Sequence, residues 1–396
     1  MSASRVPAGT TILTFNGGSS SLKFGLFDVA GALAEPLLTG EIETAGGGAV
    51  RLHAADPAGR VRVDHSLGTA APDSWTRHVV DLLDRTALPA PAVIGHRLVH
   101  GGPELLAPVR IDAAVLGQIQ AAARFAPLHI PTALATIRAT QQHFPNCPQV
   151  ACFDTGFHAT MPAVASTLPL PAALRAQGLR RYGFHGLSCE SIVRQLGHDV
   201  PERLIIAHLG NGASVTAVRA GRSVDTSMGL TPTGGLIMGR RTGDLDPGVL
   251  LHLLRSCGYT PETLATLVDR ESGLLGVSGI DSDLRRLNAA AATQPAAALA
   301  IAMFCHALVK TIAAMAGSLG GVDMIVFTGG IGEHDPGVRA TACAALGWMG
   351  VALDPTRNRA GAATISGDAS RVAVRVLPAR EDREIALHSA AVVGAG

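Results

Sequence analysis

The stretch Leu204–Gly248, LIIAHLGNGASVTAVRAGRSVDTSMGLTPTGGLIMGRRTGDLDPG, concentrates glycine, hydroxyl and charge more than any comparable window of the chain. An apolar run, Leu204 to Ala207, turns through His208-Leu209-Gly210-Asn211-Gly212. It returns through Ala213 to Val218, where small polar and apolar residues alternate as in a half-buried strand. The pattern predicts a β-hairpin with a glycine-bracketed tip, whose backbone N–H groups are open to an anion because no Cβ blocks the approach. Its continuation, Ser227 to Gly248, sets three threonines, the adjacent arginines Arg240 and Arg241, and Asp244 and Asp246 among glycines. That mixture suits phosphate and metal better than a core.

The same design occurs near the N-terminus. Thr11 to Asn16 reads as a strand, Gly17-Gly18-Ser19-Ser20-Ser21 as a tip, and Leu22 to Asp28 as the returning strand, with Lys23 near its start. Two such hairpins in separate halves of the chain predict a duplicated architecture, one copy per domain. Elsewhere strands at Val93, Val150–Phe153, Val322–Phe327 and Val372–Leu377 alternate with helical spacings over 75–88, 113–124, 131–143, 249–255, 261–270, 282–292 and 295–318. This alternation makes the class α/β. Residues 31–68 read as loosely β-like and turn-rich, without recognisable chemistry.

Bulk properties bound the rest. A chain of 396 residues predicts two domains, and 47% hydrophobic with only 4% aromatic residues argues for an Ala/Val/Leu-rich packed protein rather than disorder. With 32 basic and 31 acidic residues, net charge +1, nothing global favours nucleic acid or an anionic membrane. The six cysteines lack any C-x-x-C spacing and read as small buried hydrophobes of a reducing compartment. No basic segment followed by an apolar core opens the sequence, so no secretion signal is expected. The apolar segment 295–320 is interrupted by His306, Lys310 and Thr311 and is expected to be a buried domain helix short of a membrane span.

Single residues have ordinary explanations. Neither glycine tip is a Walker loop, and many hairpin tips carry glycine for backbone reasons alone. Arg97, Arg240 and Arg241 compete with solvated surface charge, Asp154 and Glu381 with helix capping, and His129 and His185 with buried hydrogen-bonded histidine. The functional reading gains from position. Arg97 and His100 fall near a strand end before Gly101-Gly102, Asp154 leaves the apolar run Val150–Phe153, and Arg180–Ser188 is a basic, aromatic loop opening a helix. The run Thr328-Gly329-Gly330-Ile331-Gly332-Glu333 sits between strand and helix, as nucleotide loops do.

Taken together the motifs resemble the acetokinase family, the acetate kinases with their propionate and butyrate kinase relatives. The matching segments are NGGSSSLKF (16–24), GHRLVHGG (95–102), APLH (126–129), FDTGFHATMP (153–162), RRYGFHG (180–186), HLGNGAS (208–214), SMGLTPTGGLIMGRRTGDLDPG (227–248), SGIDSDLR (278–285), FTGGIGE (327–333) and residues 378–386. They run from the first strand to the last helix.

The resemblance implies the fold of the acetate and sugar kinase, chaperone ATPase and actin superfamily. That fold has two duplicated actin-like, ribonuclease H-like α/β domains with an interdomain cleft. The expected division is 1–154 plus 384–396 for a phosphate and substrate domain, and 155–383 for a nucleotide-binding and dimerisation domain. The reaction implied is reversible, direct in-line phosphoryl transfer from ATP to acetate or another short-chain carboxylate, with Mg²⁺ or Mn²⁺, in a cytoplasmic homodimer.

By the same resemblance Arg97, Asp154, His185 and Arg241 are the catalytic set. Asn16, Ser19, Ser21, Lys23, His208, Gly210, Asn211 and Gly212 line the phosphate path, and Asp283, Arg285, Gly330 and Ile331 contact adenosine. Arg97, Val99, Leu128, His129, Phe184 and Pro232 form the substrate pocket, and Asn16 and Glu381, with Asp154, place the metal. Asp244 and Asp246 become structural partners of the arginine loop. The sequence departs from the family pattern at Ile130, Gly235, His334 and Ala379, positions expected to bear on acyl-chain tolerance, base preference and the metal-site turn. A nucleotide-dependent conformational ATPase of the actin or chaperone kind is the competing class, and the Arg97/His185/Arg241 set argues against it.

Overall fold

The computed structural model describes residues 9–18, 21–44, 48–71 and 74–394. It divides into two compact units, residues 1–156 with 380–396, and residues 157–379. Glu381 therefore belongs to the first unit, with Asn16, Arg97 and Asp154.

The first unit is built on one sheet. β1 (Thr10–Gly17), β2 (Ser21–Ala30), β3 (Leu33–Thr44), β4 (Val50–Ala55) and β5 (Val61–Gly68) form an antiparallel meander. β6 (Val93–Leu98) and β8 (Gln149–Phe153) add in parallel beyond β1, and the short antiparallel β7 (Val109–Arg110) closes that edge, giving the order β5-β4-β3-β2-β1-β6-β8-β7. The described residues of 31–68, a segment without recognisable chemistry in the sequence, thus include three paired strands. β1 is buried at all six central positions, Thr11 to Asn16, as expected of a strand covered on both faces.

Part of that cover is the C-terminal helix Glu381–Gly394. It lies so close to β6 that a Cβ on Gly95 would stand 2.3 Å from Ser389 Oγ and 2.6 Å from Ile385 Cγ2. Glycine at 95 lets the helix seat and so delivers Glu381 to the end of β1. A core of Phe15, Phe24, Leu38, Ile42, Leu52, Trp75 and Ile94 fills the meander side.

The second unit repeats the plan. β9 (Arg203–Leu209), β10 (Ala213–Arg219) and β11 (Arg222–Thr226) are an antiparallel meander, and β12 (Met324–Thr328) and β13 (Ala373–Val376) add in parallel beyond β9, in the order β11-β10-β9-β12-β13. Read from β3 to β8, the first sheet has the same 3-2-1-4-5 order, with the glycine-tipped hairpin at the same place in each. The duplication expected from the two hairpins is present in the sheets.

Helix boundaries differ locally from the sequence reading. The segment 261–270 is α-helical only over Pro261–Thr266 and widens to a π-turn over Leu267–Glu271, while 282–292 narrows to Leu284–Ala290 behind Asp283. The helix Pro295–Leu319 is long and apolar enough to cross a membrane by length and composition, contrary to the expectation that it falls short. Its Phe304, Leu308 and Ile312 are buried, and the helix packs on β9 and β10, as a domain helix does.

Candidate active site

In the first unit the C-terminal ends of the parallel strands β1, β6 and β8 lie side by side, the usual place for a site in an open α/β sheet. They carry Asn16, Arg97 and, just past β8, Asp154. Asn16 Nδ2 donates to Glu381 Oε2 at 2.9 Å, joining β1 to the C-terminal helix. Arg97 lies near the end of β6, as its place in the sequence predicts. It forms a buried ion pair with Asp154, Nε and Nη2 both donating to Asp154 Oδ2, while Nη1 donates to Gly17 O at 2.8 Å. The guanidinium thus braces the first glycine tip from beneath.

Burial presses the Arg97 pKa down, yet Asp154, Glu381 and Asp382 outweigh it and hold the cation above its ordinary value. Burial pushes the Asp154 carboxyl up, Arg97 pulls against it, and Glu381 adds to the push. Asp382, which the sequence reading passed over, is raised to about 6 by burial and by Glu381, against Lys23, Asn16 and Arg97. Its only sequence signal is its place beside Glu381 in an acidic first turn.

Two carboxylate oxygens here, Asp154 Oδ1 and Asp382 Oδ1, are buried and accept no hydrogen bond among the described residues. Buried acceptors of this kind demand a partner. With Glu381 and Asn16 alongside, they make an all-oxygen donor set of the kind a hard divalent cation takes.

A cavity of about 80 Å³ lies under the tip, and Gly17, Ser21, Arg97, Val99 and His129 border it together with Trp75. Leu128 does not border it and is 44% exposed. Lys23, opposite Asn16 in the hairpin register, is exposed. Ser19 lies outside the described residues.

In the second unit the tip Gly210–Gly212 closes with Gly210 N donating to Gly212 O at 2.9 Å. His208 and Ser214 face each other across it. His185 takes the left-handed conformation, φ 58°, at the N-cap of the helix Gly186–Leu196, which aims its ring at the tip. Its Nδ1 is 2.9 Å from Ser214 Oγ, and its ring stacks on His208 at 4.1 Å between centroids. His208 Nδ1 is in turn 2.8 Å from Ser188 Oγ.

A Cβ on Gly212 would lie 3.0 Å from His185 Nε2 and 3.6 Å from Arg241 Nη1, so both groups converge where only glycine leaves room. Arg241 Nη1 donates to Pro232 O at 3.2 Å, which ties the threonine-rich loop to the arginine loop. Phe184 is buried, and its carbonyl lies 2.9 Å from His158 Nε2, fixing the backbone one residue before His185.

Gly330 adjoins Gly210, where β9 and β12 end in parallel, and Ile331 follows in the short helix Gly329–His334. Asp283 caps the helix Leu284–Ala290 and pairs with Arg285, which is exposed. Asp244 accepts from Gly235 N and Asp246 caps the helix Pro247–Ser256, so each organises backbone beside the arginine loop. Ser188 and Ser214 are the site residues that sequence reasoning missed in this unit. The alternation of β10 puts Ser214 in register with His208, but nothing in the sequence pairs it with His185.

Two sheets of 3-2-1-4-5 order, each with a glycine-tipped hairpin, and clusters of arginine, histidine and carboxylate at the strand ends are the features of an actin-like ATPase fold equipped for phosphoryl transfer. The family model described as the acetokinase family matches residues 11–387, and the chain belongs to that family. It is 40% identical over 395 residues to the acetate kinase of Nitrobacter hamburgensis, covering 96% of this chain and 95% of that one. Among solved structures, a propionate kinase from Francisella tularensis superposes with a TM-score of 0.88 at 34% identity, over 96% of this chain and 99% of the other. Porphyromonas gingivalis acetate kinase does so with a TM-score of 0.85 at 34% identity, over 97% and 100%.

Proposed function

We propose that this protein catalyses reversible transfer of the γ-phosphoryl group of ATP to the carboxylate of acetate, giving acetyl phosphate and ADP. The observation that carries the reading is the convergence of His185 Nε2 and Arg241 Nη1 on the Gly212 tip. These are donors aimed at an anion, and the attacking group needs none of the protein's bases, because a carboxylate is already ionised at neutral pH. What remains for the protein is alignment and neutralisation of charge in a loose, in-line transition state.

On this reading Arg241 and His185 hold the equatorial oxygens of the transferring group. Within the second unit the N–H groups of Gly210, Asn211 and Gly212, with His208, take phosphate oxygens, and Gly330, Ile331, Asp283 and Arg285 border the adenosine; within the first unit Asn16, Ser21 and Lys23 are the phosphate-facing residues of the other tip. In the first unit Arg97 and His129 orient the acid, with its methyl group against Val99. Glu381, Asn16, Asp154 and Asp382 would hold the divalent cation. Mg²⁺ or Mn²⁺ there would offset the charge of the β- and γ-phosphates.

Purified protein given MgATP, acetate and hydroxylamine is expected to yield acetohydroxamate. Absence of product with acetate, propionate and butyrate alike would remove the proposal. Propionate is the second reading, supported by the likeness to the Francisella propionate kinase. One methylene in an apolar pocket discriminates by about 1–3 kcal/mol, so a kcat/KM series over formate to butyrate decides it. A homodimer is supported by the second unit's helix Pro247–Ser256, which buries none of its residues while exposing Val249, Leu251 and Leu254. Six free cysteines fit a cytoplasmic setting.

A further inference from the structure

Glu333 ends the glycine run of the adenosine loop, and its side chain reaches back along the chain. Oε1 accepts from Gly329 N at 2.9 Å, the first residue of the short helix Gly329–His334, whose N-cap Thr328 supplies no side-chain cap. The same oxygen accepts from Ala379 N at 3.1 Å. Ala379 is the last residue of the second unit, and Glu381 and Asp382 follow two and three positions later.

Both ends of this link are held. Arg339, 1% exposed, donates from Nη1 to Gly332 O and Glu333 O at 2.8 and 2.9 Å, while Asn358 accepts from its Nε and Nη2. The Glu333 main chain is therefore fixed from behind. Gly329 has φ +77°, and a Cβ there would stand 2.7 Å from Leu209 O, so the loop is wedged against the strand that leads into the second glycine tip. On the exit side Leu377 N donates to Phe327 O and Gln195 Nε2 to Pro378 O. Of these exit contacts, only the one at Ala379 reaches the adenosine loop.

We propose that Glu333 is a positioning residue that couples occupancy of the adenosine loop to the placement of the Glu381–Asp382 turn. The inference rests on the assignment of Gly330 and Ile331 to the nucleotide. A ligand that pulls Gly329 and Gly330 into register also sets the Glu333 carboxylate, and that oxygen sets the chain two residues before Glu381. The nucleotide loop and the cation-binding turn then order together instead of independently.

The test is backbone amide exchange of the full-length protein with ADP in the presence of EDTA, which needs neither metal nor turnover. In the wild type ADP is expected to slow exchange in residues 328–335 and in residues 378–386. In Glu333→Ala the protection is expected to stop at 328–335. Glu333→Gln, which keeps an oxygen acceptor, restores it, and Gln195→Ala, which loosens the same exit segment without touching the loop, retains it.

In steady-state assays Glu333→Ala is expected to raise KM for ATP by on the order of tenfold, the loss of a charge-assisted hydrogen bond, with KM for acetate within about twofold. Unaltered protection of 378–386 in Glu333→Ala, or equal loss in Gln195→Ala, overturns the coupling. Failure of ADP to protect 328–335 in the wild type instead refutes the nucleotide-loop assignment, and the coupling with it. A Glu333→Ala protein that does not fold leaves Glu333→Asp, whose shorter side chain reaches one N–H but not both, and the same loss of protection at 378–386 is expected.

Discussion

Replacing Arg97 with alanine separates what the residue does for stability from what it does for the reaction. Its guanidinium is 14% exposed and its partner Asp154 only 1%, so the substitution leaves a carboxylate buried without a counter-charge. Breaking one side of such a pair costs about 3–5 kcal/mol, because the remaining charge stays desolvated. In a unit of this size each kcal/mol lowers the melting temperature by roughly 2–4 °C, so a fall on the order of 10 °C is expected in the first unit.

Adding Asp154→Asn removes the stranded charge. The double variant is therefore expected to recover at least half of the loss in melting temperature. Activity follows a different course. With the cation gone from the acid-binding group, both the single and the double variant are expected to fall by a factor on the order of 10² or more in kcat in the hydroxamate assay. Differential scanning calorimetry and that assay, run on all three proteins, read the two effects apart. If Arg97→Ala melts with the wild type, or if the double variant regains turnover, the buried pair and the catalytic assignment respectively are wrong.

Three further expectations are independent of it. Ser214→Ala removes the hydroxyl beside His185 Nδ1, and loss of that hydrogen bond is expected to cost between about 10- and 100-fold in kcat, with KM for ATP nearly unchanged. Burial lowers the pKa of His96 and of His158 to about 4. The unfolded chain then binds more protons than the folded one between about pH 6.5 and pH 4, and stability falls as pH drops through that window by about 1.4 kcal/mol per unit for each histidine. Urea midpoints from pH 7 to 4 should show this, with a shallower slope in His158→Gln. Sedimentation of Leu251→Glu/Leu254→Glu is expected to report a monomer if the exposed face of the helix Pro247–Ser256 joins two copies, and an unchanged mass would place the interface elsewhere.

The hairpins were legible in the sequence because the alternation in Leu22–Asp28 and Ala213–Val218 and the glycine tips between strands obey local rules, and two such hairpins already implied duplication. The partners of the catalytic groups were not. Arg97 reads as a residue without a nearby acid because Asp154 is distant in sequence and is brought alongside only by the parallel pairing of β6 with β8. Residues 31–68 lacked a clear signal for a related reason. β3 buries only Ala34, Leu38 and Ile42, β4 only alternate positions and β5 none, and their pairing is fixed by neighbours rather than by composition. Asp382 carries no motif of its own, and its significance arises from its burial beside Glu381.

The last seventeen or so positions complete a structure begun by the first hundred and fifty-six. While the ribosome is still making residues 157–379, β1 and β6 stand without the helix that covers them, and Gly95 faces open space where Ser389 and Ile385 will later press. At about 5–20 residues per second that interval lasts on the order of 10–45 s. The later-made unit has all of its own strands before the earlier-made one can close. Nascent chains should therefore gain protease resistance first in the second unit, and a message truncated before codon 380 should yield a half-finished, aggregation-prone first unit beside a folded second.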